Sequence, residues 1–175
     1  MNRRSSIGSL AVLAAVAVVA VLVSSAALAQ TGGPYSYYSV TPCRVVDTRC
    51  TPGVVDASCP GVAVGNGIPA LVGNAAGRNF TMRGNCGVPT SAAAVSLNAT
   101  IIPQTATPGN FFLTLWPSGG TMPTVSTLNF TQADVALANG AIVPLKASGT
   151  PDLAAFVATF DNAHLILDIT GYFAP

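Results

Sequence analysis

His164 is the only histidine of this chain and the side chain best suited to acid–base chemistry near neutral pH. Asp168 lies four residues later, so in an extended strand the two side chains share a face. They would stand about 13 Å apart there, at roughly 3.3 Å per residue, which is too far for a hydrogen bond. The chain also lacks the G-x-S-x-G turn that presents a nucleophilic serine. We therefore expect His164 to begin an exposed hairpin strand and not to drive hydrolysis.

Carboxyl chemistry would have to come from aspartate, because all six acidic residues are aspartates. Four of them fall in predicted loops: Asp56, Asp134, Asp152 and Asp161. Asp47 and Asp168 lie in apolar surroundings, where an ionised carboxylate is costly unless it is paired. Arg44 and Arg49 are natural partners. We predict that Asp47 or Asp168 forms a buried polar link with Arg49, joining the N-terminal segment to the last strand, in preference to a glycosidase-type carboxyl pair.

The cysteines are Cys43, Cys50, Cys59 and Cys86, and four cysteines allow three pairings. A zinc site is the competing interpretation, but the spacing contains no C-x-x-C and His164 is the only nitrogen ligand on offer. We expect two disulfides and no metal. We also expect no cofactor, because the dinucleotide-like G-x-G-x-x-A at residues 65–70 contains Pro69 and precedes no predicted helix.

Flat aromatic rings could instead bind sugars, and the candidates are Tyr35, Tyr37, Tyr38 and Trp116. The alternative is structural. Trp116 and Phe112 would then pack between sheets, and the tyrosines would form an N-terminal edge strand. Alternation with Phe111, Leu113 and Leu115 places Trp116 on the less apolar face, together with Thr114, which keeps sugar binding open.

The N-terminus has the pattern of a cleavable secretory signal peptide over residues 1–29: two arginines, an Ala/Val/Leu run and a final A-L-A. A membrane anchor is the alternative, because the apolar run is near the lower length limit of a spanning helix. Cleavage would leave one domain, residues 30–175, with five basic side chains against six aspartates. So small a charge gives no footprint for nucleic acid, and we expect no membrane span after cleavage.

The mature chain reads as short apolar or alternating segments separated by Gly, Pro, Asn and Asp, which is typical of all-β domains. Residues 93–102 show the clearest alternation, and residues 111–116 and 124–130 should follow them as consecutive antiparallel neighbours. Residues 138–145 form a further predicted strand, in which Pro144 indicates a sheet edge or a bulge.

The remaining predicted elements lie towards the two ends of the mature chain. Residues 153–160 and 164–172 flank a short polar turn and predict a C-terminal hairpin. Weaker strand candidates are residues 35–40, 44–48 and 78–82, while residues 52–77 are mostly loop and 133–137 could form one helical turn. This set of strands predicts an all-β, antiparallel β-sandwich or jelly roll, stapled by disulfides.

A series of short motifs resembles a family of bacterial secreted β domains marked by a P-C-R-V-x-D-T-R opening and a D-x-T-G-Y-F ending. The opening is at residues 41–49, T-P-C-R-V-V-D-T-R. The other matches follow in order: C-G-V-P at 86–89, V-S-L-N-A-T at 95–100, S-T-L-N-F at 126–130, A-N at 138–139, V-P-L at 143–145 and L-D-I-T-G-Y-F at 167–173. The resemblance covers almost the whole mature chain.

This resemblance implies fold and location more than activity, since we know of no established catalysis in the family. It implies that Cys43 pairs with Cys86, which leaves Cys50 and Cys59 as an additional local staple. We expect a secreted, non-enzymatic structural or adhesive surface module. A carbohydrate-binding module is the alternative, a hydrolase a distant third. The expected partners are cell-surface or matrix components or glycans.

Overall fold

The structure is a computed structural model, and it describes residues 34–55, 59 and 62–175. The predicted signal peptide, residues 1–29, lies outside the described residues. Within them the chain forms nine strands and no helix. The strands are β1 (Ser36–Asp47), β2 (Leu71–Val72), β3 (Arg78–Phe80), β4 (Ala94–Pro103), β5 (Asn110–Pro117), β6 (Leu128–Thr131), β7 (Leu137–Pro144), β8 (Leu153–Ala158) and β9 (Asn162–Ala174).

Two antiparallel sheets face each other, so the all-β sandwich prediction is confirmed. The first sheet has the order β1-β9-β4-β7, with the short β2 also paired to β9, and the second has the order β3-β8-β5-β6. Residues Pro34–Pro175 make one compact unit. The described residues contain no helix that could span a membrane.

The core lies between the sheets and follows from the alternation of apolar residues. On β4 the inward side chains are Val95, Leu97, Ala99 and Ile101, each no more than 2% exposed, as the sequence predicts. They share one apolar cluster with the inward faces of β5 and β9. Burying a Val, Leu or Ile side chain stabilises the fold by about 1.5–3 kcal/mol. Packing within this cluster is therefore the main interaction that holds the two sheets together.

Two predicted neighbour relations are wrong. Strands β4 and β5 lie in different sheets, and only β5 and β6 pair as expected. Likewise β8 and β9 form no hairpin, because β8 pairs with β3 and β5 while β9 pairs with β1 and β4. β4, β8 and β9 are hydrogen-bonded on both sides to strands that do not follow them in sequence, and β5 is so bonded on one side. Local turn residues cannot reveal which sheet a strand will join.

β1 is one strand and not two, which also differs from prediction. Its register against β9 shifts between Ser39 and Cys43 and again between Arg44 and Val46. Pro42 lies in the first irregular stretch and has no N–H for the ladder. The strand therefore continues through two bulges where sequence patterning shows an interruption.

Asn66 closes one side of the sandwich. Its amide nitrogen donates to the carbonyls of Val45 on β1 and Thr81 beyond β3, at 3.0 and 2.7 Å. Its side-chain oxygen accepts from Thr81 N at 2.9 Å, and its carbonyl accepts from Asp47 N at 3.2 Å. At 1% exposure this asparagine joins the edges of both sheets.

Candidate functional site

Both disulfides tie down the segment that carries the charged residues. Cys43 on β1 bonds Cys86, which lies in the turn after β3, with Cα atoms 5.6 Å apart. Cys50 bonds Cys59, also at a Cα separation of 5.6 Å. This is the pairing that the resemblance implies. The two bridges hold the chain on either side of Asp47 and Arg49.

Asp47 is the centre of a charged cluster at the end of β1. Its carboxylate is fully buried. Arg49 donates to it from Nε at 2.8 Å, from Nη2 at 2.6 Å and from its backbone N at 3.1 Å. Arg44 Nη1 donates to it at 3.3 Å. Burial alone would raise the pKa of Asp47, but the hydrogen bonds and charge of Arg49 outweigh burial and hold that pKa below its usual value.

The bridge to the last strand is made by Arg44 and not by Arg49. Arg44 and Asp168 are direct partners in the β1–β9 register. Arg44 donates to Asp168 from Nε at 2.9 Å and from Nη2 at 3.3 Å. The hydrogen bond to Asp168 raises the pKa of Arg44. Arg49 lies past the end of β1, where its side chain turns back to Asp47. The predicted pairing of Asp47 with Arg49 is therefore present, but it stays within the N-terminal segment and does not reach the last strand.

His164 is held by the backbone turn after β1. Its Nδ1 lies 3.2 Å from both the hydroxyl and the carbonyl oxygen of Thr48. The Thr48 hydroxyl also accepts from Leu165 N at 2.9 Å. Asp168, by contrast, is bonded to Arg44. Histidine and aspartate therefore belong to separate contacts, both of which fasten β1 to β9.

A second carboxylate, Asp152, lies in the loop before β8, as expected, and is fully buried there. It accepts from the backbone N of Met82 at 2.7 Å and of Arg83 at 3.1 Å. Arg83 lies 3.7 Å from it and also donates to the carbonyl of Ala92 at 2.6 and 3.0 Å. A local Thr-Pro-Asp sequence looks like an exposed turn, and only the folded chain shows what the carboxylate binds.

Trp116 does not belong to the exposed surface. Trp116 and Thr114 share the side of β5 that faces away from the core, as alternation predicts. That side is covered by other parts of the chain, and the Trp116 ring is only 9% exposed. The ring lies against Gly77, and Nε1 donates to the carbonyl of Gly120 at 3.0 Å. Phe112 is 37% exposed and packs on Phe156, so the predicted position between the sheets is wrong for both Trp116 and Phe112.

The tyrosines, in contrast, are exposed at the N-terminal end of β1. Tyr35, Tyr37 and Tyr38 are 43%, 50% and 42% exposed. Tyr37 lies over Gly171, where the missing side chain makes room for the ring, and packs on Phe173 with centroids 5.2 Å apart. Tyr38 stacks on Tyr172 at the same separation. The tyrosines therefore lie at an edge strand, as predicted, and their rings are also exposed.

The surface of the first sheet that faces away from the core is shallow and mixes polar with apolar side chains, and we call it the outer face. Its centre is a depression of about 440 Å³ lined by Ser96, Leu97, Asn98, Gly140, Ala141, Ile142 and Thr170. The hydroxyls of Ser96 and Thr170 lie 3.0 Å apart. Asn98 is opposite Asp168 on one side and Gly140 on the other. The depression therefore lies beside the Arg44–Asp168 pair.

The outer face was not singled out from sequence as a site. The signal for it is the polar half of the β4 alternation, Ser96, Asn98 and Thr100, which indicates a solvent-facing row and nothing more. The neighbours of this row depend on strand order. No protein-family model, curated protein or solved structure matches this chain.

Proposed function

We propose that this protein is a secreted, non-enzymatic structural or adhesive surface module that makes contact through its outer face. The observation that carries the proposal is the composition of that face. Hydroxyl and amide groups of Ser96, Asn98 and Thr170 lie beside the apolar Ile142 and Ala141 around a shallow depression. Small-molecule sites are normally concave and bury most of their ligand. A shallow face that mixes polar and apolar groups suits an extended partner, such as a cell-surface or matrix component.

The charged groups support a structural role. Asp47 and Asp168 are bonded to arginines that hold β1 against its own turn and against β9. A general acid needs a pKa near the working pH. Burial acts to raise the pKa of Asp47, but its arginine partners lower that pKa by more, so it lies below the usual value. These carboxylates stabilise the fold that presents the outer face.

Secretion is supported by the cysteines together with the N-terminal pattern. Disulfides persist outside the reducing cytoplasm, and all four cysteines are disulfide-bonded. In an expression host that exports the chain, the protein recovered from outside the cytoplasm should begin at Gln30 by mass spectrometry. Retention of residues 1–29 on exported protein would contradict cleavage and favour the membrane-anchor alternative.

A carbohydrate-binding module is the second candidate, and the exposed tyrosines favour it. The exposed Tyr37 ring lies on the outer face, where its hydroxyl donates to the carbonyl of Thr170 on β9, whereas Tyr38 lies on the opposite face of the sheet, against Tyr172. Aromatic rings with an apolar body and a polar tip are well suited to wet, mixed surfaces. Trp116 drops out of this candidate because its ring is covered. The remaining sugar site would lie at the tyrosine end of the outer face.

Binding of the labelled protein to immobilised polysaccharides, matrix proteins and intact cells separates the two candidates. Asn98→Arg places a long charged side chain in the depression, and we expect it to weaken adhesion at least about tenfold, a change of roughly 1.4 kcal/mol. Asn129→Arg, at an exposed position on β6 of the other sheet, is the matched control. Saturable polysaccharide binding that Tyr37→Ala abolishes would favour the carbohydrate module. Binding that Asn98→Arg leaves unchanged would refute the outer face as the contact surface.

A further inference from the structure

The first sheet ends in an open strand, β7. In an antiparallel sheet, successive residues turn their N–H and C=O groups to opposite sides of the strand. Leu145 N donates to the carbonyl of Ala93, and on the other side of β4 Gln104 N donates to Asn162. Together with the register of β4 and β7, this pattern means that a set of β7 residues turn their backbone polar groups away from β4. These residues are Ala138, Gly140, Ile142 and Pro144. Their backbone groups therefore form a free edge.

The other edges of the sandwich are blunted in ways that β7 is not. β1 carries two register shifts, and Asn66 occupies the backbone groups of Val45 and Asp47. β3 and β6 have only three and four residues. β7 has eight residues, pairs with β4 without a register shift and carries no charged side chain. Long, regular, uncharged edges are those to which another strand adds.

We propose that β7 pairs antiparallel with β7 of a second copy of this chain, around a two-fold axis at Gly140. This register sets Gly140 against its own copy and Ala138 against Ile142 of the partner subunit. Each opposed pair can exchange two backbone hydrogen bonds. Pro144, which has no N–H, then lies beyond these pairs at the end of the ladder. The proposal goes beyond the adhesive role and does not depend on it.

Side chains favour this register as well as the backbone. Ile142 is 63% exposed, and the pairing places it beside the small Ala138, so a large residue meets a small one twice across the axis. Gly140 leaves the centre open, since a Cβ added there meets no atom of its own chain within 4 Å. The apolar area of Ile142 is thus removed from water without a clash.

Charged residues beyond the two ends of β7 favour the same two-fold axis. Asp134 lies six residues before Gly140, and Lys146 lies six residues after it. Both residues lie just beyond the ends of β7, so an antiparallel pair centred on Gly140 brings the Asp134 end of each copy to the Lys146 end of the other. One carboxylate oxygen of Asp134, Oδ2, accepts from Thr131 N at 2.6 Å at the end of β6, and Lys146 is exposed. Opposite charges therefore flank a neutral strand at both ends.

The test is sedimentation of the disulfide-bonded protein with a charge swap at Gly140. One strand pair buries less than the about 1,200 Å² typical of stable interfaces, so we expect a weak dimer at up to about 1 mM chain. Gly140→Lys alone and Gly140→Glu alone should each weaken dimerisation at least about tenfold, because like charges meet on the axis. An equimolar mixture of the two variants should restore the dimer. Asn129→Lys, the same charge change on β6, should leave it unchanged.

Several outcomes would overturn the proposal. Wild-type protein that stays monomeric to about 1 mM chain leaves no dimer to explain. A dimer that survives both single variants uses another surface, and equal weakening by Asn129→Lys indicates a general effect of charge. Failure of the mixture to recover would exclude the two-fold axis at Gly140. Circular dichroism of each variant shows whether the fold is retained, as the open space around Gly140 predicts.

Discussion

Replacing Asp47 with asparagine removes the charge at the centre of the cluster on β1 with little change of shape. The amide oxygen of asparagine can still accept from Arg49 N and Arg49 Nε, which both donate to Oδ1, so the interactions lost are those of Oδ2 with Arg49 Nη2 and Arg44 Nη1. A hydrogen bond to a charged group contributes about 1.5–3 kcal/mol. The two losses do not add in full, because both arginine side chains reach water, at 40% and 28% exposure. We expect the free energy of unfolding to fall by about 2–3 kcal/mol at neutral pH.

The effect should depend on pH with a definite sign. The pKa of Asp47 is lowered in the folded protein, so its contribution to stability is fully present above the unfolded pKa of about 3.9. It is lost as the pH falls through the lower, folded pKa. The difference between wild type and Asp47→Asn should therefore be largest near pH 7 and shrink below about pH 4.

Urea unfolding, followed by circular dichroism from pH 7 down to the acid transition, measures this difference. Asp161→Asn is the control, because Asp161 is an exposed carboxylate in the turn before β9, and it should change stability by no more than about 0.5 kcal/mol. The slope of free energy against urea should not change in either variant. An Asp47→Asn loss below about 1 kcal/mol at pH 7, or a loss that grows in acid, would refute the assigned role of the arginines.

Two further predictions concern the staples of the fold. Removing the Cys43–Cys86 bridge, which spans 43 residues, by serine substitution at both positions should cost about 4 kcal/mol, against about 2.5 kcal/mol for the nine-residue Cys50–Cys59 span. Urea midpoints of the two double variants check the order, and a reversed order would contradict the loop-length argument. Asn66→Ala deletes three side-chain hydrogen bonds at a 1% exposed position and should cost about 3 kcal/mol. Thermal unfolding beside the exposed control Asn129→Ala measures this, and equal melting temperatures for the two variants would show that Asn66 does not join the sheets.

The elements of this fold could be predicted from sequence because their causes are local. Apolar residues at every second position of β4 predict both the strand and its buried face. They are Val95, Leu97, Ala99 and Ile101. Gly- and Pro-rich punctuation separates the strands, and Pro144 marks an edge because its nitrogen has no hydrogen to donate. The need to pair Asp47 also follows from its apolar neighbours. These inferences require only residue types and their spacing.

The assignment of partners could not be predicted, because it depends on strand order and register. Arg44, and not Arg49, reaches Asp168 because β1 and β9 set those two residues opposite each other. Trp116 lies on the expected face of β5, yet the chain around Gly77 covers that face. Asn66 looked like one more residue of a glycine-rich loop, although it joins both sheets.

Sequence by itself therefore determined that the chain forms disulfide-stapled antiparallel strands with a charged cluster near the end of the first one. Only the tertiary structure decided that β8 and β9 separate into different sheets, that the polar side chains of β4 and β9 share one outer face, and that β7 keeps an open edge. The physical reason is the range of the interactions. Alternation and turn residues act over a few positions, whereas the pairing of each central strand is chosen by packing and hydrogen bonds with segments far away along the chain.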